Sequence, residues 1–430
     1  MTDAPARPGP QDTAPGYEDT APGYGGATTG VTTLPLHMRR DRFTPTSDLA
    51  AFRESGEIPV VPMAFGTEAY LVTRHEDVRT VLGDAATFSN AEGVALQQKR
   101  ADQAELSDAE RERNRAGQLL AQDPPDHTRL RRMLTREFTQ RRMSRLQPRI
   151  VEIVEDHLDG LERAGRGADL VQEFALPVPS LVICELLGVP YADRAEFQAR
   201  SSRMLDLQIP PRERIALNRE SRAYMSRLVE GAEADPGDDI LGMLVREHGD
   251  ELSHDELTGI AGLLLIAGHE TTSNMLSLGA LALMENPEQA DALRADPELA
   301  RPAVEELLRF LTIVHTGVVR VATVDTEIRG TPIPAGSPVA CSLPAADRDP
   351  RTGTEDPERL DLHRNAAGHV AFGHGVHHCL GAPLARMELT TAFPALLRRF
   401  PGLAPAGDVP PSAFRAFHFV YGMHSLPVTW

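Results

Sequence analysis

The stretch Phe372-Gly-His-Gly375-Val-His377-His378-Cys379-Leu-Gly381 decides how this chain is read. Gly373 and Gly375 let the backbone turn tightly and approach a flat ligand closely, because no Cβ stands in the way. Beyond Cys379, apolar residues recur at Leu384, Met387, Leu389 and Leu396, the pattern of a helix that starts near Leu380. A thiolate at a helix start faces unpaired N–H groups and the positive end of the helix dipole, and both lower its pKa. Gly381 removes a side chain where a macrocycle would lie close. Together these features describe a pocket that presents one thiolate to an iron. Two other readings stand beside it. Cys379 is an ordinary buried cysteine, the commonest fate of a free thiol; or His369, His374, His377, His378 and Cys379 form a zinc site. The spacing counts against zinc, since there is no C-x-x-C pair and no second cysteine nearby.

Upstream lies the longest helical signal in the chain. Ser253-His-Asp-Glu256 is a capping box, with Leu252 and Leu257 placed as a hydrophobic staple. The apolar pattern then runs to Asn286, where Pro287 ends it. At 1.5 Å per residue such a helix spans roughly 50 Å, enough to cross a domain. It is apolar on nearly every face, as a buried central helix should be. Ala267-Gly268-His269-Glu270-Thr271-Thr272 interrupts it at mid-length, and polar groups there are costly unless something pairs with them.

Helical patterns dominate the rest: 126–138, 143–164, 178–187, 192–207, 212–232 and a Pro297-initiated segment. Short β-like pieces stand at 58–61, 69–72, 318–322, 326–328 and 339–342 between turn residues, and a helix follows at 75–82. Residues 91–122 are polar and read as a mobile loop with a short helix. The fold class is therefore mainly α (α+β): a large helical part with a small β-rich lobe. Residues 1–33 carry a tandem repeat, Asp12-Thr-Ala-Pro-Gly-Tyr17 and Asp19-Thr-Ala-Pro-Gly-Tyr24, in a composition that cannot bury a face, and read as a disordered tail. The remaining 34–430 read as one domain.

Composition narrows the function. Forty-four basic against 62 acidic residues give a net charge of −18, which argues against a nucleic-acid binder. Three scattered cysteines, Cys184, Cys341 and Cys379, form no disulfide framework, so a reducing cytoplasm fits best. The longest apolar run, 260–267, is far short of the ~20 residues that a membrane span requires.

The decapeptide 372–381 resembles the haem-binding signature of the cytochrome P-450 family, Phe-x-x-Gly-x-(Arg/His)-x-Cys-x-Gly, at every fixed position. Glu306-Leu-Leu-Arg309 resembles the family's Glu-x-x-Arg pair, and the likeness makes Arg359 their partner in the loop before the cysteine. In that loop Leu360 stands where the family usually has an aromatic residue. Residues 267–272 resemble the oxygen-activation stretch, which implies Glu270 and Thr271 as an acid–alcohol proton relay. The segment Asp123-Pro-Pro-Asp126-His127-Thr-Arg-Leu-Arg131 resembles the start of a propionate-binding helix. The resemblance thus implies haem b (iron protoporphyrin IX) with Cys379 as its metal ligand, and His127, Arg131, Arg320 and His377 as propionate anchors.

The implied activity is insertion of one oxygen atom of O₂ into a C–H or C=C bond. The implied substrate is a bulky hydrophobic small molecule such as a macrolide or other polyketide, a terpenoid or a sterol, met by Ala267, Val318, Val319 and Phe419. No flavin or iron–sulfur motif occurs in the chain, so electrons come from a separate partner, by resemblance a ferredoxin with its NAD(P)H reductase. Arg129, Arg132 and Arg136, opposite Leu130 and Leu134, together with Arg141, Arg142 and Arg386, form the expected docking patch. Rival readings are a non-hydroxylating haem-thiolate oxidase or peroxygenase, and a haem carrier or sensor without turnover.

Overall fold

The computed structural model describes residues 33–102, 106–139 and 143–430. The 1–33 tail lies outside them but for Thr33, as do Arg141 and Arg142. Seven helices position the site: α1 (Asp126–Thr135), α2 (Pro177–Leu187), α3 (Arg194–Leu205), α4 (Pro211–Ala234), α5 (His254–Met284), α6 (Ala300–Leu311) and α7 (Ala382–Arg399).

The centre is α5. Ser253 accepts the Glu256 N–H at 3.2 Å while Glu256 accepts the Ser253 N–H at 2.9 Å, so the capping box forms as read. The helix ends at Met284, two residues short of the expected end, and Pro287 opens a separate helix. Its apolar residues are buried on most faces because α2, α4 and α7 wrap it. A Cβ on Gly279 would stand 2.4 Å from the Phe393 ring of α7, so the two backbones meet at a position only glycine fills.

A five-stranded sheet flanks this helical body, in the order Val60–Pro62, Glu68–Val72, Pro338–Cys341, Val318–Ala322, Phe88–Ser89. Only the pairing of Glu68–Val72 with Pro338–Cys341 is parallel. The expected helical part and small β-rich lobe are both present.

One region departs from expectation. Residues 91–122 hold two helices, Asn90–Asp102 and Asp108–Arg115, rather than a loop with a short helix. The first is held from a distance: Asp123 accepts the Asn90 N–H at 2.9 Å, and a Cβ on Gly93 would stand 2.4 Å from the Val319 carbonyl oxygen. The second buries no side chain and so shows no apolar period.

Candidate functional site

Between Val370 and Gly381 the chain makes a tight loop. Asp347 accepts the Val370 N–H at 2.7 Å, and the Gly373 N–H donates to the Val370 carbonyl at 2.8 Å. Gly373 and Gly375 both sit at φ +73°, and a Cβ on Gly375 would stand 2.4 Å from the Leu82 carbonyl oxygen. Both glycines are thus required by the turn. The Cys379 N–H donates to the Phe372 carbonyl at 2.9 Å. The helix begins at Ala382 rather than near Leu380, leaving Cys379 just ahead of its first turn.

Cys379 keeps accessible surface, unlike the other two cysteines. Burial pushes the thiol up, while the N–H groups of Gly381 and Ala382 and the Arg131 guanidinium pull it back. Cys184 and Cys341, by contrast, are buried and pushed up to about 12 by desolvation. The other histidines of the loop disperse. His369 turns to Glu305 at 3.1 Å, His374 lies beside Gly83, and His377 meets His127.

Four sequence-predicted residues converge beside the sulfur. The rings of His127 and His377 lie 4.1 Å apart, centroid to centroid. His377 is lowered to about 3 by burial first of all, then by His127, Arg320 and Arg131. His127 is lowered by burial and by Arg131. Both ring nitrogens of His127 and Nε2 of His377 are buried without a hydrogen-bond partner. Arg320 is anchored by Asn90, and its buried guanidinium is lowered by desolvation. A cluster of donors and cations beside a thiol, with buried nitrogens still to be satisfied, fits a flat ligand carrying iron and two carboxylates. Gly381 fits it too, since a Cβ there would meet no protein atom within 4 Å.

On α5 the expected acid–alcohol pair diverges. The Thr271 hydroxyl, on a half-buried side chain, donates to the Ala267 carbonyl at 2.7 Å. Glu270 points the other way, 1% exposed, and accepts from Arg415 at 3.1 Å. Burial raises Glu270 and Arg415 opposes it. His269 lies 3.7 Å from Glu270, beyond hydrogen-bond reach, and burial followed by Arg415 lowers it to about 3, so it stands neutral. Neighbouring positions on a helix point about 100° apart, which is why no hydrogen bond joins Glu270 to Thr271.

Sequence reading missed Arg415, whose turn also reaches the α3–α4 connection. The Leu207 N–H donates to the Phe417 carbonyl at 2.8 Å and the Phe419 N–H to the Leu205 carbonyl at 3.0 Å. Phe419, half-buried, packs with Met38, Ala64 and Leu207. Ala267 is exposed at the centre of an otherwise buried helix, with Leu263 and Thr271 one turn to either side, and this marks the cleft-facing stripe. Val318 is half-buried and Val319 buried on the sheet strand Val318–Ala322.

Two expectations need correction. Arg359 is exposed and gives the ion-pair network only its carbonyl; the guanidinium that reaches Glu306 is that of Arg364, at 3.2 Å. The docking patch is also less basic than the sequence implied. Arg129 pairs with Glu256 and Arg386 with Glu305, which leaves Arg132 and Arg136 exposed and without an ion pair among the described residues. Pro124, Pro125, Thr128, Arg129 and Arg132 line an open groove of about 570 Å³ there.

The family model described as Cytochrome P450 matches residues 237–428. Cytochrome P450 FAS1 of Rhodococcoides fascians is 49% identical over 93% of this chain and 100% of its own length. Pentalenic acid synthase of Streptomyces avermitilis is 42% identical over 92% of this chain and 98% of its own. The crystal structure of CYP105P1 in complex with filipin I superposes with a TM-score of 0.83 at 40% identity, covering 91% of this chain and 97% of that one. Among the described residues no helix is long and apolar enough to cross a membrane. With likeness of this depth along almost the whole fold, the chain belongs to the cytochrome P450 family of haem-thiolate monooxygenases.

Proposed function

We propose that this monooxygenase inserts oxygen into a C–H or C=C bond of a bulky, mainly apolar small molecule of the polyketide, terpenoid or sterol kind. The observation that carries the proposal is the accessible stripe Leu263, Ala267 and Thr271 in the middle of a buried helix: two apolar side chains with one hydroxyl beside them. A surface of that kind recognises its ligand by shape and desolvation. Two similar proteins support the reading by name, one a pentalenic acid synthase and the other solved in complex with filipin I. The test is a spin-state titration of the haem-loaded protein against polyketides, terpenes and steroids. Saturable binding confined to small polar compounds would overturn the reading.

In this reading haem b would supply the activation of dioxygen, and Cys379 would hold its iron through the sulfur. His127, Arg131, Arg320 and His377 would hold the two propionates, each histidine donating one ring N–H that has no partner within the protein. Thr271 holds a proton at the cleft wall, and Glu270 is the acid behind it. Because the two side chains diverge, the proton passes between them through water or after the Glu270 carboxylate leaves Arg415. Burial of Glu270 serves that role, since it moves the carboxyl toward the pH range where it gives and takes protons. A ferredoxin delivers electrons at the face bearing Arg132 and Arg136.

A further inference from the structure

Adjacent carboxylates on α6 leave the helix in different directions. Glu306 turns inward to Arg309 and Arg364. Glu305 turns to the cysteine loop, where it takes Arg386 of α7 in a two-point grip, Nε to Oε1 at 2.6 Å and Nη2 to Oε2 at 2.9 Å. It also takes Nε2 of His369 at 3.1 Å. The other nitrogen of His369 accepts the Ala371 N–H at 3.2 Å, so Nε2 carries the proton that is donated to Glu305.

Both groups held by Glu305 flank one ring. The Arg386 guanidinium lies 4.6 Å above the Phe372 centroid, and the His369 ring lies 5.9 Å from it. The Phe372 carbonyl in turn takes the Cys379 N–H at 2.9 Å. One carboxylate therefore fixes a cation and an imidazole against the residue that fixes the cysteine. The Arg386 charge acts on the sulfur, favouring its anionic form. Burial pushes Glu305 up, but its bonds to Arg386 and His369 outweigh this and hold it at about 2, so it carries its full negative charge at neutral pH.

We propose that Glu305 is a positioning residue that sets how readily the Cys379-bound iron accepts an electron, by holding Arg386 and His369 against Phe372 and offsetting the Arg386 charge. The inference rests on the reading of Cys379 as the residue that holds the haem iron. Its sign follows from electrostatics. Removing a negative charge near a centre that gains an electron eases reduction, and removing a positive charge hinders it.

The experiment uses the full haem-loaded chain and the variants Glu305→Gln, Arg386→Gln, their combination, and Glu305→Asp. The CO spectrum of the reduced protein reports thiolate ligation, and spectroelectrochemical titration reports the midpoint potential. Glu305→Gln is expected to shift the potential upward and Arg386→Gln downward. The double variant should fall between them, and Glu305→Asp nearest the parent. Variants that keep the red-shifted Soret band yet titrate at the parent potential would overturn the proposal, as would single variants that shift in the same direction. If Glu305→Gln fails to load haem, Arg386→Gln against the parent carries the test, and a potential that does not fall in that variant overturns the proposal. A parent protein without the red-shifted band removes the ligand assignment itself, and the role of Glu305 falls with it.

Discussion

The two sides of the cleft treat buried charge in opposite ways. Behind the cysteine loop, Glu306 is fully buried and saturated. It accepts from Arg309 at 2.7 and 2.8 Å, from the Asp361 N–H at 3.1 Å and from Arg364 at 3.2 Å. Arg309 donates onward to the carbonyls of Asp347 and Pro357, both at 2.9 Å. Across the cleft, Glu270 has one cation, and its second oxygen lacks a hydrogen-bond partner, as do both ring nitrogens of His269. A saturated network admits one geometry, which suits a loop that must present a sulfur at a fixed place. A network with unused donors and acceptors has partners to exchange, which suits proton transfer.

The largest effect should come from breaking the saturated side. Glu306→Ala leaves Arg309 and Arg364 buried around a missing partner, a loss of about 3–5 kcal/mol for a buried ion pair cut on one side. Urea unfolding measures it, and a change under ~1 kcal/mol would mean that the network contributes little to holding the loop. Thr271→Ala tests the other side. The hydroxyl bonds only its own helix, so stability should stay within about 0.5 kcal/mol. Product formed per NADPH consumed should fall on the order of 10²-fold, the lower range for a lost proton-transfer group. Full coupling in this variant would remove Thr271 from the relay.

A smaller effect separates the two sides by pH. His269 is held neutral in the fold, lowered from 6.5 to about 3 by burial and then by Arg415. The unfolded chain takes up a proton below pH 6.5 that the folded chain refuses until about pH 3. Stability is thus whole above pH 6.5 and declines as pH falls toward 3, by about 2 kcal/mol at pH 5 from this residue alone. In His269→Leu, which keeps an apolar contact with Phe197, that part of the acid sensitivity should disappear. Parallel pH profiles for parent and variant would show that His269 is not the group responsible.

How much of this was legible in the sequence depended on how local each signal is. The bounds of α5 were readable because Ser253, Glu256 and Pro287 act within a few residues of themselves. The strand Val318–Ala322 was readable from its β-branched run between turns. The helix Asn90–Asp102 was not, since its first N–H groups are met by Asp123 far along the chain and its close contact is made by Gly93. The helix Asp108–Arg115 did carry a local signal, the Ser107–Glu110 capping box, which the lack of an apolar period obscured. Cys379 and its neighbours His127, Arg131, Arg320 and His377 came from motifs, and the fold gathers them. Arg415, 145 positions from Glu270, has no local signal at all, and Arg364 replaced Arg359 only once the path of the loop was known.

The smallest expected effect lies at the surface, and it sharpens the same contrast between satisfied and unsatisfied charge. Arg129 and Arg132 border one groove, yet Arg129 is tied to Glu256 in the first turn of α5 while Arg132 is not. Arg132→Glu should therefore leave unfolding unchanged. It should slow reduction by an acidic ferredoxin about tenfold at low salt, as expected for a charge at the rim of an interface. Arg129→Glu places a second carboxylate beside Glu256 and should lower stability as well. Stopped-flow reduction across ionic strengths distinguishes them: if Arg132→Glu keeps the parent rate and salt slope, the electron donor docks on another face, and the free charge of Arg132 has no part in it.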